Sequence, residues 1–303
     1  MKLTMLARVN SYLAMRRSLG YKLRIEGQML QNFARYADRS GHRGPLTRSL
    51  ALRWATLPHG ADRLYHARRL EVIRVFAKHQ VVLDAGTEIP PRQALGPAHR
   101  RNAPHLYHPT EVRKLLQRAA RLSGRLRPAT YKHLLGLLAC TGLRISEVLA
   151  LQISDVDLAR GIITVRETKY HETRLVPLHP SALPPLNHYA RQRQKLFPGA
   201  QHFFVSVLGR RLAYTTVRTT FRQLAAGFVP NSNRRYVRLH DLRHTFACRV
   251  LLGWQRTKRG AVGRVAVLSR YLGHQKVSDT YWYLTATPEL LTEAARQFVP
   301  SLK

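Results

Sequence analysis

RLHDLRHTFACRV (residues 238–250) and LSRYLGHQKVSDTYWYL (residues 268–284) decide how this chain is read. Both runs have a helical apolar pattern, and both carry histidine and arginine within it. His240 and Arg243 stand three positions apart, so they share one face of a helix. His274 follows a glycine that ends one helix, and Tyr283 lies on the next. A tyrosine hydroxyl among several cationic donors suits in-line attack on a phosphodiester. The hydroxyl supplies a nucleophile, and the cations offset charge on the nonbridging oxygens.

Upstream of these runs, Pro109 opens a segment in which Val112, Leu115 and Leu116 start a helix. Residues 131–140 form another, almost wholly apolar and therefore buried, ending at Thr141-Gly142. A further helix starts at Leu143-Arg144-Ile145. Residues 161–165 and 173–178 alternate as strands around a polar turn, which gives a β-hairpin with Lys169 near its tip. Helical patterns resume from Ser181, over 214–224, over 240–252 and over 265–272. Residues 254–264, WQRTKRGAVGR, read as a basic loop. A last helix spans about 288–299, with Leu290, Leu291 and Phe298 on one side.

Residues 1–85 read as four short helices. Leu3, Leu6, Val9, Leu13 and Leu19 mark the first, and Ile25, Met29, Leu30, Phe33 and Tyr36 the second. Thr47 caps the third, and Leu64, Leu70, Ile73 and Phe76 mark the fourth. A generic helical bundle and a DNA-binding module fit this pattern equally. Residues 86–107, rich in proline and glycine, read as an interdomain linker kept cationic by Arg92, Arg100 and Arg101.

The 303 residues carry 51 Lys+Arg against 16 Asp+Glu, a formal net charge of +35. The excess is spread through the chain: 18 basic and 6 acidic residues in 1–100, 33 and 10 in 101–303. Such a chain binds a polyanion through release of condensed counterions. Without a polyanionic partner, self-repulsion on that scale would cost stability. Cys140 and Cys248, both in apolar helical surroundings, read as buried reduced thiols of a cytoplasmic protein. No run of about twenty apolar residues suggests a membrane span. Acidic residues are too scarce to build a magnesium site, and the histidines lack a suitably spaced third zinc ligand. The chemistry then falls to Arg144, Lys169, His240, Arg243 and His274 as cationic donors, with no cofactor and no metal.

TGLRISE (141–147), ETKYHETRLVPL (167–178), HDLRH (240–244), LGH (272–274) and a tyrosine nine positions after His274 together resemble the tyrosine recombinase, or phage integrase, family. The resemblance extends over most of residues 108–290. It implies an α+β catalytic domain, mainly α with a small antiparallel β-hairpin or sheet, over 108–303. It also implies a helical N-terminal core-binding domain over 1–85, the two closing as a C-shaped clamp on duplex DNA. Arg144 and Arg243 would grip the scissile phosphate, and Lys169 would protonate the departing 5′ oxygen. His240 would exchange a proton with the tyrosine or bond the phosphate, and His274 would add a donor. Tyr283 would attack, leaving Tyr281 and Trp282 as packing residues. A turn lysine remains the plain alternative for Lys169, and a helix salt bridge for Glu147, otherwise an orienter of the cations. His244 takes a packing role. Lys258 and Arg259, in the 254–264 run, lengthen the interval from Arg243 to His274 to 31 residues and are read as an insertion touching DNA or a neighbouring subunit.

The implied function is site-specific recombination of double-stranded DNA through a covalent 3′-phosphotyrosyl intermediate, by a homo-oligomer, a tetramer on two synapsed sites. Related recombinases or accessory DNA-bending proteins are further partners, and the place of action is the prokaryotic nucleoid. Two alternatives stay open at this point: a type IB topoisomerase-like relaxase and a non-catalytic DNA-binding protein.

Overall fold

Short polar side chains set where the first helices begin. Thr4 accepts a hydrogen bond from the Ala7 amide at 3.2 Å and starts α1 (Met5–Ser18). The next helix, α2 (Arg24–Arg39), follows Leu23 in a left-handed conformation. Thr47 accepts from Leu50 ahead of α3 (Arg48–Thr56), as its position suggested, and Asp62 accepts from Leu64 ahead of α4 (Arg63–Leu83). Each cap satisfies an amide that the first turn leaves without a helical partner.

The computed structural model describes residues 3–98, 103–166, 173–230, 236–256, 262–274 and 276–285. The chain divides into two units, Met1–Arg101 and Asn102–Lys303. In the first, α1 to α4 bury Val9, Leu13, Phe33, Trp54, Ile73 and Phe76 against one another. Leu19 and Ile25, expected on the apolar stripes, are instead 63% and 69% exposed, because the α1–α2 connection turns them outward. The first half of the proline-rich stretch packs on this unit: Arg74 Nε donates to the Pro90 carbonyl, and Ile89 and Leu95 join the core. Leu106 and Tyr107 belong to the cores of the second unit.

His108 and Glu111 form a capping box that starts α5 (Pro109–Ala120) of the second unit. The buried α6 (Arg127–Thr141) follows, then the single-turn α7 (Ile145–Val148). Strands β1 (Val156–Asp157), β2 (Ile162–Val165) and β3 (Arg174–Pro177) make one antiparallel sheet in that order, with Ile163 opposite Val176. Two residues long, β1 escapes any alternation pattern. The hairpin tip, with Lys169, lies outside the described residues. The helices α8 (Leu183–Leu196) and α9 (Tyr214–Leu224) complete the core around Tyr189, Phe204 and Phe221.

The region read as a basic loop is helical at both ends: residues 254–256 belong to α10 (His240–Arg256) and 262–264 to α11 (Val262–Leu272), where Trp254 and Val265 pack into a common apolar cluster. Lys258 and Arg259 lie outside the described residues. The last helix of this part, α12 (Ser278–Thr285), packs Tyr283 against Cys248, Leu251, Leu268 and Leu272 in a separate cluster. Residues 288–299 are outside the described range. Cys140, expected to be buried, is exposed, since it is in phase with Lys132 and Gly136 on the less covered face of α6. No helix among the described residues is long and apolar enough to cross a membrane.

Gly142 shows how tightly α6 meets its neighbours. It closes the helix at φ 63°, its amide bonding the Leu138 carbonyl, a conformation that costs other residues dearly. A Cβ there would meet Phe246 Cδ1 at 2.5 Å and Leu272 Cδ2 at 3.2 Å. Gly142→Ala should therefore lower stability by about 2 kcal/mol or more, from left-handed strain and crowding together. Equilibrium urea denaturation measures this, and an unshifted midpoint would contradict the packing described.

Candidate functional site

Two helix ends bring the marked residues together. The Gly142 turn delivers Arg144 directly before α7. At the other end, Gly273 (φ 67°) closes α11: its amide bonds the Arg270 carbonyl, and the His274 amide bonds that of Ser269. This double closure requires a residue at ease in the left-handed region, and it fixes His274 one step beyond the helix. Tyr283 comes from α12, while His240 and Arg243 sit on the first turn of α10.

Arg243 lies at the centre, 2% exposed. It donates from Nη1 to the Gly142 carbonyl at 2.9 Å and from Nη2 to the Leu272 carbonyl at 2.7 Å, joining both closed helix ends. The Tyr283 phenol lies near enough to the Arg243 guanidinium for that charge to favour its ionised form. Burial, with the nearby Arg144 charge, lowers the Arg243 pKa to about 10, which still leaves it charged at neutral pH. Arg144 donates from Nη2 to the Gly273 carbonyl at 2.7 Å and from Nη1 to Glu147 Oε1 at 2.8 Å. Two guanidiniums thus approach one another in a partly dry site.

Glu147 compensates in part. It accepts from the Arg144 amide and side chain, and from Arg174 Nη1 and Nη2 at 3.1 and 2.8 Å. Burial alone would raise its pKa, but the bonds from Arg174 and Arg144 outweigh burial and hold it below the ordinary value. One carboxylate faces three guanidiniums, so the site keeps an excess of positive charge.

That excess governs the imidazoles. His240 and His274 are each depressed to about 4, first by desolvation and then by the charges of Arg243 and Arg144, with Arg238 adding to the effect on His240. His240 keeps an exposed edge, yet the cations around it still hold it neutral. His274 shares a hydrogen bond between Nδ1 and the buried Thr280 hydroxyl at 2.8 Å. Tyr283 is 3% exposed, its ring 5.9 Å from that of His274 and 5.4 Å from that of His244. His244 in turn meets the His240 ring edge-on at 4.7 Å. Burial raises the Tyr283 pKa, and Arg243 only partly opposes it, so the phenol keeps its proton at neutral pH.

Arg144, Glu147, His240, Arg243, His274 and Tyr283 therefore converge. Tyr281, expected to pack, is 48% exposed because it lies on the opposite side of α12, and Tyr271 stacks on Phe246 instead of facing the site. Arg92 is an exposed residue of the other unit. Lys169, Arg100, Arg101, Lys258 and Arg259 fall outside the described residues. Among the described residues no group of three or more His, Cys, Asp or Glu could hold a metal ion. Arg174 was read only as part of the 173–178 strand. Its signal was present nonetheless: it alternates in phase with buried Val176, while Leu175 between them faces solvent.

Comparison with known proteins shows the family. Residues 106–289 match the phage integrase family. The protein y4rB of Sinorhizobium fredii, an integrase/recombinase by name, is 37% identical over 95% of this chain and 95% of its own length. The structure of the Tn1549 transposon integrase with transposon right end DNA superposes with a TM-score of 0.71, at 15% identity over 98% of this chain and all of that one. A lambda integrase tetramer bound to a Holliday junction has a TM-score of 0.60, at 17% identity over 93% of this chain and 77% of that one. At those identities the two structures demonstrate a shared fold. The chain belongs to the phage integrase family, the tyrosine recombinases, whose activity is site-specific breakage and rejoining of DNA strands.

The depressed histidines set a stability window. Between pH 6.5 and about 4 the unfolded chain takes up protons at these positions while the folded chain does not, so stability falls as pH falls through that range. Above 6.5 the contribution is fully present. Thermal melting followed from pH 7.5 to 4 should show this slope, and the double variant His240→Gln, His274→Gln should flatten it. An equal slope in the variant would mean the two imidazoles are not held neutral.

Proposed function

We propose that this protein recombines specific DNA sites by using Tyr283 as the nucleophile. The Tyr283 oxygen attacks the scissile phosphorus, forming a 3′-phosphotyrosyl bond as the bond from phosphorus to the 5′ oxygen breaks. The phenolic proton passes to a neutral imidazole, His240 being the acceptor at the mouth of the site. Lys169 donates a proton to the departing 5′ oxygen. Arg144 and Arg243 take the nonbridging oxygens, where charge builds in the transition state. The carbonyl bonds of Arg243 use two of its five N–H donors, so the guanidinium can serve a phosphate as well. Rejoining reverses these steps with a 5′ hydroxyl from another strand, and the covalent link conserves the bond energy without ATP or a cofactor.

The carrying observation is that a buried Tyr283, its ring 5.9 Å from that of His274, comes beside a buried Arg243 with Arg144 alongside. By analogy with the lambda integrase tetramer on a Holliday junction and the Tn1549 integrase on transposon end DNA, the working form is a tetramer on two synapsed duplexes of a mobile element. In that reading the helical N-terminal unit and the catalytic unit both bind the duplex. Arg92, Arg100, Arg101, Lys258 and Arg259 contact its backbone, and residues 288–299 dock on the next subunit. Related recombinases or DNA-bending proteins assist, within the prokaryotic nucleoid.

Adduct capture from a pool of randomised duplexes should recover one defined cleavage sequence. A nicked suicide duplex carrying it should then trap a covalent complex that Tyr283→Phe abolishes. Arg243→Ala or Arg144→Ala should slow adduct formation roughly 10²–10³-fold, as loss of one oxyanion donor does elsewhere. Relaxation of supercoiled plasmids lacking the sequence would instead indicate a relaxase. An adduct that survives Tyr283→Phe would overturn the assignment of the nucleophile.

A further inference from the structure

Arg174 makes more bonds within the site than its place on a strand requires. From β3 its side chain, 11% exposed, donates twice to Glu147, and its Nε donates to the Tyr271 carbonyl at 2.9 Å. It also lies pressed against the turn bearing His274. A Cβ at Gly273 would meet Arg174 Nη1 at 2.7 Å and Cζ at 2.9 Å. One side chain thus touches three things: the carboxylate that orients Arg144, the end of α11, and the glycine before His274. Its own backbone belongs to the hairpin whose tip carries Lys169.

We propose that Arg174 is a positioning residue for strand cleavage, locking Glu147 and the His274 turn to β3 so that Arg144 and His274 keep one mutual geometry. This rests on the reading of Tyr283 as nucleophile and adds a residue that touches neither DNA nor the reacting atoms. The guanidinium suits the task because its planar fork bonds both carboxylate oxygens while Nε reaches a third acceptor. A lysine ammonium keeps the charge but cannot span that set. With a neutral side chain at 174, Glu147 would face only Arg144 and the more distant Arg243, and burial would then raise its pKa.

The test is single-turnover cleavage by the full chain on the nicked suicide duplex, comparing wild type with Arg174→Lys, Arg174→Met and the double variant Arg174→Met, Glu147→Gln. The amplitude reports the folded fraction, and the rate constant reports the geometry of the competent molecules. Arg174→Lys should cut the rate constant roughly 10–100-fold, the scale of a small misplacement of reacting groups. Its affinity for the same duplex, measured with Tyr283→Phe in the background, should stay within about twofold, the charge being kept. Arg174→Met should show an acid limb of the rate shifted to higher pH than in the wild type, because Glu147 loses the partner that holds its pKa down. The double variant should lose that shift, leaving only the limb set by His240 and His274. Reduced amplitude with an unchanged rate constant would mean that Arg174 only supports folding, and the proposal falls. Absence of any Tyr283-dependent adduct in the wild type would sink both the nucleophile assignment and this inference. A normal wild-type adduct with an unaltered Arg174→Lys rate constant would overturn the inference alone.

Discussion

Like charges must be held close together here without a ligand between them. Arg144, Arg174 and Arg243 converge on a region where Glu147 is the carboxylate that bonds two of them, and bringing cations out of water is costly unless their donors are occupied. The structure meets this with backbone carbonyls at helix ends. Gly142, Leu272 and Gly273 each present a carbonyl to a guanidinium, and Glu147 bridges two of the three. The terminal carbonyls of a helix are its negative pole, so two ended helices act as partial counterions. The cations keep their charge because the backbone around them is shaped to receive it.

Burial and this crowd of cations together set the state of the other groups. Two imidazoles that would be partly protonated at pH 6.5 in water are neutral, first because burial penalises the charged form and then because each added proton would join existing positive charge. A neutral imidazole can take up a proton, and it stands here beside a buried phenol that still holds one. The same surplus of charge suits the negative charge of a single phosphodiester. The electrostatic imbalance of the free protein is thus complementary to the DNA backbone.

How much was legible in the chain depends on distance along it. Caps at Thr47 and the turn at Gly142 could be read because a helix boundary is a local event, decided by a side chain or a glycine within one turn. The pairing of His240 with Arg243 was equally local. The extent of α10 and α11 was not, since a run such as WQRTKRGAVGR has loop composition and is helical at both ends through the packing of its flanks. Leu19 and Ile25 kept the apolar period of a helix yet face solvent, because periodicity does not say where a helix meets its neighbours. Arg174 was read as a strand residue for a similar reason: its partners Glu147 and Tyr271 lie 27 and 97 positions away.

From the sequence alone came the kind of chemistry: a basic chain, a tyrosine with histidines and arginines in a recognisable order, and glycines where helices had to stop. Side-chain identity and local spacing suffice for that, being properties of residues and single turns. Only the tertiary structure decided that these residues meet, that Tyr283 and not Tyr281 faces Arg243, and that Arg174 ties the hairpin to the site. Those outcomes depend on which faces of separate helices are buried together, a balance struck among contacts far apart in the chain.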